Sequence, residues 1–240
     1  AYDLSLNPFG GKVSIGTDDP GALLQVHGGD VDYDPSSTGT GLFHVTAGAS
    51  SNYSGYIGIS DSGMSIGHNG GGSRYLKFDT NETERMRIDH EGHVTKPFQP
   101  AVLVNIASTQ SNVAANTTVT VTFDSEVFDV NADFNTSNYT FTAPVTGKYQ
   151  VNLRMRWENV PTNLTYVQTY LATSNGTRHM FLFGTGADLF NSEVNYYAEN
   201  GAQLIDMDAN DTLLVKFYQS GGSATMDIGE QSALSIALLS

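Results

Sequence analysis

From Tyr149 to Trp157 every second residue is large and apolar: Tyr149, Val151, Leu153, Met155 and Trp157 alternate with Gln150, Asn152, Arg154 and Arg156, and Lys148 begins the polar series. A period of two over this length belongs to a strand with one face in a core and the other in water, so this part of the chain is committed to a sheet. Just upstream, Tyr139 and Phe141 alternate with threonines before Pro144 and Gly147 break the ladder. Residues 138–157 therefore read as a hairpin of two strands and a turn.

The pattern continues to the end of the chain. Val119, Val121 and Phe123 alternate with threonines, and Val167, Thr169 and Leu171 oppose Tyr166, Gln168 and Tyr170. Further strands are expected over residues 180–183, 194–197, 203–207, 212–218 and 232–239. Turn signals separate them at Asn175-Gly176, Gly184-Thr185-Gly186, Asn200-Gly201, Asn210-Asp211 and Gly221-Gly222. Roughly ten strands at this spacing predict a two-sheet sandwich or jelly roll.

The first part of the chain is built differently. Of the 25 glycines, 17 fall in residues 1–100, whereas 16 of the 25 aromatic residues lie beyond them. Pro97 and Pro100 mark the change and favour an extended connector. This places a Gly-rich unit at residues 1–96 and a β-rich head at 97–240. Within the first unit Met64-Ser65-Ile66-Gly67 restates Val13-Ser14-Ile15-Gly16, and Gly92-His93-Val94-Thr95 restates Gly11-Lys12-Val13-Ser14. Strands this short bury an apolar face only against repeats or identical neighbours, which predicts a trimeric β shaft.

Two stretches of this unit resemble elements of bacteriophage tail fibres: Gly11-Lys12-Val13-Ser14-Ile15-Gly16-Thr17 leading to Leu23-Leu24-Gln25-Val26, and Leu76-Lys77-Phe78-Asp79-Thr80 leading to Glu84-Arg85-Met86-Arg87-Ile88. Asn81 and Glu84 have the spacing of a helix cap and its partner, but the resemblance and the alternation of Phe78, Met86 and Ile88 favour a strand over 81–88. The head resembles the globular heads of complement one-q and tumour necrosis factor. The likeness lies in Tyr139-Thr140-Phe141-Thr142-Ala143-Pro144-Val145-Thr146-Gly147-Lys148-Tyr149, in residues 203–215, and in the closing Ser232-Ala233-Leu234-Ser235-Ile236-Ala237-Leu238-Leu239. Leu234 and Ile236-Ala237 depart from that family's aromatic and glycine positions. Together the resemblances imply an all-β homotrimer, a shaft followed by a jelly-roll knob. They also imply a receptor-binding fibre tip, located in the virion and joined to tail proteins upstream, that attaches to a bacterial surface glycan or outer-membrane protein. Loops at the knob's far end are the expected recognition surface. A structural virion filament without a receptor and a polysaccharide depolymerase are the other readings that stay open.

Charge and composition narrow the partners. A net charge of −14 argues against nucleic acid, whose phosphates require clustered Lys and Arg. No apolar run approaches the ~18 residues that cross a bilayer, so membrane insertion is not expected. Cysteine is absent, which excludes disulfides and thiol catalysis. The opening at Ala1 fits a fragment whose targeting or anchoring segment lies upstream.

Several groups of residues could carry chemistry. Arg154 and Arg156 stand on the polar face of the central strand with Lys148 and could grip anionic sugars or phosphates, although pairing with nearby acids accounts for them more simply. Tyr196 and Tyr197, with Phe190, are suited to stacking on sugar rings, and alternation turns the two tyrosines to opposite faces. Asp206, Asp208 and Asp211, with Asn210, crowd oxygen ligands together and make calcium the one cofactor worth considering. An Asn-Asp turn explains them without it. His90 and His93, with Asp89 and Glu91, could hold a metal on a threefold axis, but Gly92 suggests an ordinary turn. Gly63-Met64-Ser65-Ile66-Gly67 has the outline of a nucleophile elbow, yet His68-Asn69-Gly70 cannot start the helix such an elbow needs. No enzymatic activity is expected.

Overall fold

A computed structural model of the protein describes residues 13–15, 24–26, 43–46, 54–60, 63–68, 72–184 and 194–240, and every regular element among them is a strand. Contacts divide the chain into two units, one of Ala1–Phe78 with Arg87–Val94 and the other of Asp79–Met86 with Thr95–Ser240.

The early strands are short. β1 (Val13–Ile15) and β2 (Leu24–Val26) pair in parallel. β3 (Phe43–Thr46), β4 (Ser54–Ser60) and β5 (Gly63–His68) form an antiparallel meander. Ile57 faces Ile66 across β4 and β5, and Ile57, Met64 and Ile66 are 40%, 67% and 52% exposed. Ser65 sits mid-strand opposite Gly58, so the elbow-like sequence is a piece of sheet. A third sheet holds β6 (Leu76–Thr80), β7 (Thr83–Ile88) and β8 (Val94–Thr95). Asn81 and Glu82 both take positive φ, 50° and 60°, between β6 and β7. That is the backbone of a two-residue hairpin turn, and it leaves 83–88 extended as the alternation suggested.

The second unit contains β9 (Ala101–Asn105), β10 (Gln110–Val113), β11 (Thr118–Thr120), β12 (Ser125–Asp129), β13 (Phe134–Asn135), β14 (Thr140–Thr142) and β15 (Gly147–Val160). They are followed by β16 (Tyr166–Thr173), β17 (Gly176–Gly184), β18 (Val194–Met207), β19 (Thr212–Ser220), β20 (Met226–Ile228) and β21 (Ala233–Leu238). Eight of these strands pair first with last (β9 with β21), second with seventh (β14 with β19), third with sixth (β15 with β18) and fourth with fifth (β16 with β17). A long hairpin folded over itself gives this order, and it divides the strands between a first sheet β9-β21-β15-β18 and a second sheet β14-β19-β16-β17. The head is a jelly roll. β12, β10 and β20 extend the first sheet, while β11 and β13 extend the second.

The structure corrects three expectations. Residues 138–157 are not a hairpin: β14 pairs with β13 and β19 in the second sheet, whereas β15 pairs with β18, β20 and β21 in the first. The residues around Pro144 carry the chain across the sandwich, and the Phe141 and Tyr149 rings meet edge-on at 5.6 Å between the sheets. Asn200-Gly201 is not a turn, because β18 runs unbroken from Val194 to Met207 and matches β15 along its length. The Pro97–Pro100 connector includes a turn closed by Gln99 N–H donating to Lys96 O at 3.1 Å. The predicted turns at Asn175-Gly176, Asn210-Asp211 and Gly221-Gly222 do form, with positive φ at Gly176, Asn210, Gly221 and Gly222. Thr185 and Gly186 of the remaining signal lie outside the described residues.

The core lies between the two sheets. Tyr149, Val151, Leu153, Met155 and Trp157 from β15 are buried against Val167 and Leu171 of β16 and Leu213, Val215 and Phe217 of β19. Trp157 gathers the rings at one end of the sandwich: Phe181 edge-on at 6.5 Å, Phe217 tilted at 6.2 Å and Tyr197 stacked at 5.6 Å. Each such ring removes well over ~100 Å² from water and fixes the sheets' spacing.

Candidate functional site

The polar face of β15 holds the residues first singled out for binding. Arg156 is only 17% exposed; its Nε lies 3.1 Å from a Glu158 carboxylate oxygen, and Glu158 is 16% exposed. Its guanidinium lies 4.2 Å from the centre of the Tyr196 ring. The Gly229 N–H donates to Arg156 O, and a Cβ on Gly229 would fall 2.3 Å from the Glu158 carboxylate, so the loop before β21 closes tightly over the pair. Arg156 is thus committed to its own strand neighbour and to Tyr196. Arg154 donates from Nη2 to Gln231 Oε1 at 3.2 Å. Cross-strand pairing with an acid occurs instead at Lys148, whose Nζ lies 3.1 Å from Asp206 Oδ1.

Tyr196 and Tyr197 do point apart. Tyr196 is 63% exposed, while Tyr197 stacks on Trp157 and donates its hydroxyl to Glu199 Oε1 at 3.0 Å. Burial, reinforced by the Glu199 carboxylate, raises the Tyr197 hydroxyl's pKa. Tyr197 belongs to the rim of the core, not to a binding face. Phe190 lies outside the described residues.

Asp206, Asp208 and Asp211 do not converge, since each serves a different partner. Asp206 holds Lys148, Asp208 accepts from Thr146 Oγ1 at 3.5 Å, and Asp211 accepts from Ser174 Oγ at 2.7 Å, from Asn175 Nδ2 and from Asp208 N–H at 2.8 Å. The hydrogen bond from Ser174, then that from the Asp208 backbone, holds the Asp211 carboxyl below its ordinary pKa. Asp211 is a tie between the β16–β17 and β18–β19 turns, and its oxygens already have donors.

Asp89, Glu91 and His93 do come together, with their ligand atoms within 4.8 Å of one another, and His90 is not among them. The arrangement is a turn, as Gly92 suggested: Asp89 Oδ1 accepts from Glu91 N–H and His93 N–H, both at 2.9 Å, and Asp89 Oδ2 lies 3.0 Å from His93 Nδ1. The His93 backbone bond leads the effects that lower the Asp89 pKa.

A further constellation emerges only from strand pairing, on the outer face of the second sheet. Tyr166, Gln168 and Tyr170 of β16 lie beside Ser220, Tyr218 and Lys216 of β19 and beside Gly184, Leu182 and His179 of β17. The Tyr166 and Tyr218 rings are 5.7 Å apart, and those of Tyr170 and His179 are 5.9 Å apart. Gln168 Nε2 lies 2.6 Å from His179 Nδ1, and Lys216 Nζ donates to Thr120 Oγ1 at 2.7 Å. A depression of about 580 Å³ opens between Thr165, Tyr166, Gln168, Leu182 and Gly184. The signal was present in the alternation of β16 and β19, but which rings become neighbours depends on a register that alternation does not contain.

No protein-family model matches the sequence, and neither does any curated protein. Among solved structures, the chain is similar to the globular domain of zebrafish complement 1qA protein at 16% identity and a TM-score of 0.44, with 59% of this chain and 98% of that chain covered. It is also similar to murine APRIL at 12% identity and a TM-score of 0.42, covering 59% and 99%, and to Eiger TNF from S. frugiperda at 12% and 0.43, covering 59% and 94%. The jelly-roll assignment rests on the strand order itself.

Proposed function

We propose that this chain is the tip of a homotrimeric bacteriophage tail fibre, a receptor-binding protein that attaches the virion to its bacterial host and performs no chemistry on what it binds. The fibre-like stretches of residues 11–26 and 76–88 supply the fibre in this reading, and the observation that carries the self-association is the outer face of the head's first sheet. One row across it reads Phe128, Leu103, Ser235, Asn152 and Ala202, and the next Ser125, Asn105, Ala233, Arg154 and Asn200. These rows hold no carboxylate, although the chain has 25 Asp and Glu. They enclose a shallow depression of about 370 Å³ at Leu103, Asn152, Ala202, Ala233 and Ser235. These two central rows, free of carboxylates and holding several small side chains between the Lys148-Asp206 and Arg156-Glu158 pairs, suit close approach of an identical sheet, since self-association of an acidic chain must keep like charges apart.

The exposed Ile57, Met64 and Ile66 in the meander supply a second reason for identical neighbours, and the fibre-like repeats supply the context. Three heads on one fibre, and several fibres on one particle, turn weak contacts with a surface glycan or outer-membrane protein into firm attachment. The test is competition. Free protein added to susceptible cells before the virions is expected to slow adsorption in proportion to its concentration; undiminished adsorption at saturating protein would leave the chain as a structural virion filament.

A further inference from the structure

We propose that the tyrosine-bearing outer face of the second sheet binds a neutral oligosaccharide, which places recognition on a sheet face and not on the head's loops. The inference rests on the adhesion reading and gives it a site. β11, β16, β17 and β19 together contain no Asp or Glu, in a chain with 25 of them. With no carboxylate among these strands, the rings and the amide, imidazole and hydroxyl groups are what the face presents to a ligand.

What occupies the face follows from the groups on it. Tyr166 and Tyr170 stand four residues apart on one strand, about 13 Å at the usual rise of a strand, and Tyr218 lies beside Tyr166. Sugar rings present apolar C–H faces that stack on such side chains. Between the rings are hydrogen-bonding groups of the kind hydroxyls require. His179 Nδ1 faces the Gln168 amide at 2.6 Å, and accepting that bond leaves the ring proton on Nε2. Lys216 is held by Thr120 on the same surface. Among the described residues of this face Lys216, donating to Thr120, is the single ammonium beside the rings, a point charge without the forked guanidinium geometry that best matches a carboxylate or phosphate. A second copy of the chain is already assigned to the first sheet, and among the described residues lining this depression Leu182 is the one large aliphatic side chain.

The experiment uses the full chain and an array of neutral and acidic bacterial surface oligosaccharides, with the Tyr166→Ala/Tyr218→Ala double variant, Leu182→Glu and, on the other sheet, Tyr196→Ala. Leu182 is 69% exposed, so its replacement tests the site without removing a ring from the fold. Binding of a neutral oligosaccharide that falls at least about tenfold in the double variant and in Leu182→Glu, with Tyr196→Ala unchanged, supports the proposal. Unchanged binding in the double variant and Leu182→Glu, selective binding of acidic glycans, or no glycan binding at all overturns it. Adsorption competition then decides separately whether the adhesion reading stands on another surface or a protein receptor.

Discussion

Asp211 shows how one side chain can hold two turns in place. Its carboxylate takes hydrogen bonds from Ser174 and Asn175 of one turn and from the Asp208 backbone of the other. Because the folded-state pKa is lowered, the carboxylate favours the folded state above its unfolded pKa of about 3.9, and that contribution disappears as pH falls through the lower folded value. Asp211→Asn is therefore expected to lower stability at neutral pH and to flatten the loss of stability on acidification below about pH 4. Urea unfolding of both proteins at pH 7 and pH 3 checks this: an identical pH slope in the variant would remove Asp211 from the account. The crowding of Asp206, Asp208 and Asp211 was legible in the sequence, but their separate duties were not, because the donors come from residues as distant as Ser174 and Lys148.

At the scale of the element, β18 is the strand that local sequence describes least well. Asn200-Gly201 has the composition of a turn, yet Gly201 lies mid-strand opposite Leu153. A Cβ there would come within 2.8 Å of the Phe181 ring, which itself packs on Trp157. The glycine is needed for room, and β15 supplies a partner along the strand's length. Gly201→Val is expected to cost about 1–3 kcal/mol through overpacking, read as a lower urea midpoint with an unchanged slope; a variant as stable as the parent would mean that the ring moves freely. Alternation in β15 named the buried face correctly, from Tyr149 to Trp157. It could not name the neighbour, which is why β14 and β15 looked like a hairpin and belong to different sheets. The tyrosine face escaped for the same reason: Tyr166 and Tyr218 are 52 positions apart and meet through pairing of β16 with β19.

At the scale of the whole molecule, we propose that the two outer faces of the sandwich divide the work, the carboxylate-free central rows of the first sheet meeting identical neighbours and the rings and amides of the second meeting a ligand. Placing a carboxylate in the first face distinguishes this arrangement from a head that acts alone: Ala202→Asp would bring three like charges into the proposed interface, at a cost of several kcal/mol. The most direct measurement is the mass of the full chain in solution by light scattering, with Ala202→Asp beside it. The account predicts three copies of the 25.8 kDa chain for the parent and a shift toward folded single chains for the variant. A parent that is monomeric and well folded would contradict it, because neither the meander's exposed isoleucines nor the carboxylate-free rows of the first sheet would then have identical neighbours to cover them.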